Sequence, residues 1–205
     1  MRFILGTSLP PHKQLKMAIL EGNEAKALEI YTKDAGSTGN KSDSLIKTLH
    51  PSLPFPSNKI PADPETPLHM ACKEGLAELV ELFLKHQGNP AQKNDQHECS
   101  LHSVCSMQNN GPARSKICDA LLCWRGTKGV HDPYALHCDA ADVDGNTPIH
   151  YAAYNGLLQC VEVLFRHKAS LAIVNKVDLS CLDMADKANF HDLVRKNGKI
   201  GTYHI

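Results

Sequence analysis

The 205-residue chain is long enough for one solid domain or two small ones, and its 22 basic and 22 acidic residues cancel. A balanced charge gives no long-range pull on nucleic acid or an anionic membrane, so neither is an expected partner. Aromatic residues make up 5% of the chain against 42% apolar, so the core must be built from Leu, Ala, Ile and Val, which suits packed helices.

Residues 1–12 are expected to be a tail, because their apolar run is only Phe3, Ile4 and Leu5 before Gly6 and two prolines. A secretory signal needs an apolar run of about 7–15 residues and a membrane span about 20. Arg2 stands where myristoylation needs glycine. The expected location is cytoplasmic, with the nucleus also open, and the eight cysteines are then reduced thiols or core residues.

Residues 13–33, "KQLKMAILEGNEAKALEIYTK", predict a capping helix pair broken at Gly22. Residues 34–61 are rich in Pro, Ser and Gly and predict a long loop. An ordered repeat is expected over 62–94. Its "ETPLHMACKEGLAELVELFLKHQGNP" aligns with "NTPIHYAAYNGLLQCVEVLFRHKASL" in a second such unit, 142–175. Thr66, Pro67, His69 and Gly75 thus match Thr147, Pro148, His150 and Gly156. Thr caps a helix start, Pro fits the first helical position, and Gly ends the helix in a left-handed turn, a geometry also compatible with Asn155. The runs "LAELVELFLKH" and "LLQCVEVLFRH" supply a second helix, apolar at i, i+3, i+4 and i+7.

Between these units lies "HECSLHSVC", where Cys99, His102 and Cys105 have metal-like spacing and His97, Cys118 or Cys123 would serve as a fourth ligand. Structural zinc usually uses paired Cys-x-x-Cys or His arms, and the chain has no Cys-x-x-Cys. His102 lies 33 residues after His69, so the run is a worn copy of the Thr-Pro-Leu-His segment, with Cys99 for Thr and Ser100 for Pro. No metal or other cofactor is expected. The repeated histidines lack a nucleophile and an orienting carboxylate, so catalysis is not expected either. Residues 95–141 form this degenerate repeat with inserts. A terminal capping repeat follows at 176–197, with Asp183 in the histidine register and Asn189 in the glycine register, and then a tail at 198–205.

This pattern resembles the ankyrin repeat, whose period is about 33 residues. The resemblance implies an all-α solenoid of helix-turn-helix units with long inserts, a monomer that binds another protein in a concave groove. In that frame the partner contacts are expected at Met70, Lys73, Asp144, Asn146, Tyr151 and Tyr154, with Ser103 and Ser106 extending the groove. Lys73, Glu74, Glu78, Glu81 and Lys85 form an expected solvated face. Trp124 and the cysteines at 72, 118, 123, 160 and 181 are expected to pack in the core, and Cys138 to be the most exposed thiol.

The capping pair, the long first loop, "GNPAQKNDQHECSLHSVC" and "DGNTPIHYAAYNG" together are similar to the N-terminal region of the ankyrin repeat and IBR domain-containing family of RING-between-RING ubiquitin ligases. The similarity covers most of residues 13–195. That family's ligase module needs many zinc-binding Cys and His pairs and a thioester-forming cysteine, so no catalytic residue carries over. The expectation is a non-enzymatic binding module that recruits a partner in ubiquitination. A partial or truncated ligase and a metal-dependent regulator using the Cys99–Cys105 cluster are the alternatives.

Overall fold

The computed structural model describes residues 9–36, 51, 65–108, 111–124 and 136–188. Helix α1 (Pro11–Leu20) and α2 (Glu24–Gly36) form the first pair, which reaches beyond 13–33 at both ends. Then follow α3 (Pro67–Glu74) with α4 (Ala77–Lys85), α5 (Ser100–Cys105) with α6 (Gly111–Cys123), and α7 (Pro148–Tyr154) with α8 (Leu158–Arg166). Helix α9 (Cys181–Lys187) packs on α7. Extended pairing among the described residues is limited to one antiparallel bridge between Val174 and Ser180, so the fold is all-α. No helix among them is long and apolar enough to cross a membrane.

Local chemistry explains the helix boundaries. Thr66 caps α3 by accepting the His69 amide proton on its hydroxyl, and Pro67 begins the helix without needing a donor. Gly75 ends α3 at φ 75°, and Gly156 follows α7 at φ 67°, both in the left-handed region where a Cβ is penalised. Asn155 does not share that geometry, with φ −89°. Its side-chain amide instead donates to the Cys105 carbonyl at 2.8 Å and so ties α7 to α5. The Asn189 expectation lies outside the described residues.

The helices stack in two rows. The first helices α1, α3, α5, α7 and α9 pack on one another, and α2, α4, α6 and α8 form the second row. Leu15, Ile19, Leu68, Leu79, Phe83, Leu101, Ile117, Leu121, Ile149 and Leu164 are all buried between them. Each such side chain contributes about 1.5–3 kcal/mol by leaving water, and no pair of helices could bury them alone. The first pair is pinned by Glu24, whose carboxylate accepts the amide protons of Glu78 and Leu79 at the start of α4. Trp124 packs against the core and donates its indole N–H to the Leu84 carbonyl at 3.3 Å.

Cysteines at 72, 118, 160 and 181 are buried, as expected for small apolar residues. Two expectations are corrected. Cys123 is the exposed thiol, because it closes α6 on the solvent side. Cys138 is only half-exposed, because its Sγ donates to the His167 carbonyl at 3.4 Å.

Arg114 on α6 is wholly buried, and its guanidinium collects backbone carbonyls from two repeats. It donates to Val104 at 2.6 Å, to Lys73 at 2.6 Å and to Cys72 at 3.4 Å. Hydrogen bonds from Cys105 and Cys118, and then the nearby guanidinium, favour the thiolate of Cys160.

Candidate functional site

Three turns of one design project ahead of the first helices. Asn94, Asp142 and Asn175 each sit five residues before the cap residue, at Cys99, Thr147 and Ser180. In each turn the side-chain Oδ1 accepts two amide protons, those of Gln96 and Glu98, Asp144 and Asn146, or Val177 and Leu179. The backbone closes the same turns, with Asn94, Asp142 and Asn175 donating to Glu98, Asn146 and Leu179. The fourth residue of each is left-handed: His97 at φ 58°, Gly145 at 81° and Asp178 at 58°. Neighbouring turns are joined by Val143 N–H to Gln96 and Lys176 N–H to Asp144, both at 2.9 Å.

The repeated histidines tie these turns to the helices. His69, His102 and His150 place Nε2 3.0, 3.2 and 3.2 Å from the carbonyls of Gln92, just ahead of the next turn, and of Asn146 and Leu179, within it. A carbonyl can only accept, so Nε2 carries the proton and Nδ1 is the acceptor. Nδ1 of His102 and His150 accepts the amide protons of Cys99 and Thr147. Burial holds all three imidazoles below their ordinary pKa, favouring the neutral form that this geometry needs. In the terminal repeat Asp183 takes the histidine register: it accepts from the Ser180 amide, but a carboxylate cannot donate onward.

The histidines and cysteines of "HECSLHSVC" each take a place in the repeat. His97 supplies the left-handed turn residue, and His102 has both ring nitrogens engaged by Cys99 and Asn146. Cys99 Sγ lies 3.1 Å from His102 Nδ1, and Cys105 is buried in hydrogen-bonding contact with Cys118 and Cys160. The Cys99–Cys105 metal reading therefore loses its ligand atoms to the repeat frame.

The expected partner contacts divide into two rows across α3, α5 and α7. Met70, Ser103 and Tyr151 form one, and Lys73, Ser106 and Tyr154 the other, each at the 33-residue register between α3 and α5. The first row is largely closed. Met70 is 4% exposed and Ser103 5%, so Met70 is corrected from a surface contact to a core residue. Tyr151 is half-buried, its hydroxyl 2.8 Å from Asp142 Oδ2 and 3.0 Å from Glu98 Oε1, and its ring edge meets His102. Burial and the hydrogen bond to Asp142 raise its pKa, and the phenol braces two turns. The second row is open: Tyr154 is 51% exposed, Ser106 is half-exposed, and Lys73 pairs with Glu65 at 3.5 Å. At the turn tips Asp144 is exposed, while Asn146 is half-buried with its side-chain oxygen accepting from Asn175. Sequence reasoning missed the buried turn residues, although Asp142 and Asn175 lie 33 apart.

The family model for ankyrin repeats (3 copies) matches residues 34–132, and that for a single ankyrin repeat matches 144–176. The first match takes in the segment read as a loop, 34–61, which lies mostly outside the described residues. Human ankyrin repeat and IBR domain-containing protein 1 is 28% identical over 200 residues, 88% of this chain and 17% of that protein. The mouse protein of the same name is also 28% identical, over 201 residues. Mouse ankyrin repeat and SOCS box protein 16 is 32% identical over 123 residues, 60% of this chain and 26% of its own length. The chain therefore spans only a minor part of these relatives. The two matched segments together take in more than half of the chain, and both contain the capping histidine and the helix pair: the chain belongs to the ankyrin repeat family.

Proposed function

We propose that this chain recruits a protein partner for ubiquitination, holding it against the turn tips and the Lys73–Ser106–Tyr154 row. Ankyrin repeats mediate binding to other proteins, and this reading assigns the chain no catalytic step of its own. The observation that carries it is Tyr154: a large side chain, 51% exposed, at the end of α7, a helix whose leading turn is closed by hydrogen bonds. A preformed surface of this kind loses little conformational freedom on binding. Tyrosine is also favoured at binding hot spots, because it contributes large contact area with few rotatable bonds. The ubiquitination setting is supported by relatives whose names join ankyrin repeats to an IBR domain or a SOCS box. A cytoplasmic setting suits eight unpaired thiols.

A second reading, that this is the recruiting portion of a RING-between-RING ligase, is supported by a match over 88% of this chain but 17% of the relative. Both readings share one test. Wild-type protein and the Tyr154→Ala, Asp144→Lys double variant are compared by quantitative capture from cell extract, with ubiquitin remnants counted on the captured proteins. A set of ubiquitinated proteins lost by the variant at unchanged helicity is expected. Capture that is the same for both proteins would remove the groove reading.

A further inference from the structure

On the second helix row, Asp119, Cys123 and His167 bring their ligating atoms within 4.8 Å of one another. Asp119 and Cys123 are four residues apart on α6 and so share one face of the helix. His167 caps α8, and its Nε2 lies 3.0 Å from Asp119 Oδ1. We propose that these three side chains form a zinc-binding site, with the fourth position open to water.

The donor set suits the ion. A thiolate, an imidazole and a carboxylate are the three ligand types that zinc takes, and three protein ligands plus water is its usual open arrangement. Zinc bonds of about 2.0–2.3 Å place tetrahedral ligands about 3.3–3.8 Å apart, so the present cluster needs only small side-chain shifts. Binding releases the Cys123 thiol proton and shifts the neutral His167 ring proton from Nε2 to Nδ1, and the Asp119–His167 hydrogen bond becomes two metal bonds.

The fold holds the site in place. Cys123 is the last residue of α6 and His167 the C-cap of α8, so two helices direct their carbonyl ends, which carry partial negative charge, towards the cation. Trp124 anchors the end of α6 on Leu84, and left-handed Lys168 closes α8 at φ 72°. Cys123 is exposed, and the His167 side chain is 24% and the Asp119 side chain 47% exposed, so an ion can enter. Arg166 and Lys168 beside His167 are exposed, and water screens their repulsion.

A neighbouring trio, His137, Cys138 and Asp139, also clusters. One ligating atom of each already bonds to backbone, whereas the first trio's bond lies within it: His137 Nδ1 accepts the Asp139 amide proton, Cys138 donates to the His167 carbonyl, and Asp139 Oδ1 accepts from Ser170 N–H. That loop braces residues 167–170, and the ion falls to the first trio.

The test is cobalt(II) titration of the full chain with a non-chelating reductant, followed by zinc displacement. One cobalt per chain is expected, with a thiolate-to-cobalt absorption band that zinc abolishes. Cys123→Ser should remove the band, and Asp119→Asn and His167→Gln should weaken binding by at least about tenfold. Cys138→Ser should leave both unchanged. Cys123 is exposed, so its replacement leaves the core intact, which circular dichroism verifies. No band in the wild type, a band that survives Cys123→Ser, or one lost only with Cys138→Ser would each overturn the proposal.

Discussion

In the third repeat, at 142–175, Thr147 holds its hydroxyl 2.9 Å from His150 Nδ1, and in the second, the degenerate repeat at 95–141, Cys99 holds a thiol 3.1 Å from His102 Nδ1. The third repeat starts its helix with Pro148, the second with Ser100, whose hydroxyl is the one buried polar side-chain atom without a hydrogen-bond partner among the described residues. The third repeat ends its first helix at a left-handed glycine. Helix α5 instead ends after only six residues, and buried Arg114 returns from α6 to take up the Val104 carbonyl. The lesson is that the repeat needs a donor or acceptor at each fixed place, and tolerates a change in the residue that supplies it.

The most severe way to break this equivalence is Arg114→Met. Three carbonyls would lose a buried charged donor, and denaturant unfolding should report a loss of about 3–5 kcal/mol. No comparable residue exists to remove from α8, so the second repeat should prove the more fragile of the two.

His150→Ala removes a buried ring and cuts its tie between Thr147 and Leu179, although the Leu179 carbonyl keeps its bond from Asn175 N–H; the lost packing and hydrogen bonds should cost about 2–3 kcal/mol. His102→Ala should cost a similar amount if the worn repeat is truly equivalent. The same histidines set a pH dependence. Their native pKa is lowered, so between the native and unfolded values the unfolded chain binds more protons. Stability is then complete above the ordinary histidine pKa of about 6.5 and falls as pH drops below it. Urea midpoints on either side of that value should show the loss, and the His102→Ala, His150→Ala pair should flatten it.

Tyr151→Phe should cost about 1 kcal/mol by deleting the hydroxyl shared by Glu98 and Asp142, while a groove role for Tyr154 is untouched. The smallest effect should be a gain. Cys99→Thr replaces a weakly hydrogen-bonding thiol with the hydroxyl that the other repeats use, and should stabilise by about 0.5–1 kcal/mol. A loss instead would mean that the second repeat has adapted to sulfur.

The sequence by itself determined the repeat, its caps and its helix stops. Thr66 with His69, or Thr147 with His150, make bonds spanning three residues, so the local chain encodes them. Gly75 and Gly156 are legible for the same reason, since backbone conformation is a property of one residue. Tertiary structure alone decided which candidate contacts face solvent. Met70 and Tyr154 both lie on first helices, yet stacking buries the one and leaves the other half in water. It also decided that Arg114 reaches Lys73, 41 residues away, and that His167 meets Asp119, 48 away. Partners so distant in sequence meet only because repeats stack to bury apolar faces that no single repeat can cover, and that packing sets which side chains are left to bind.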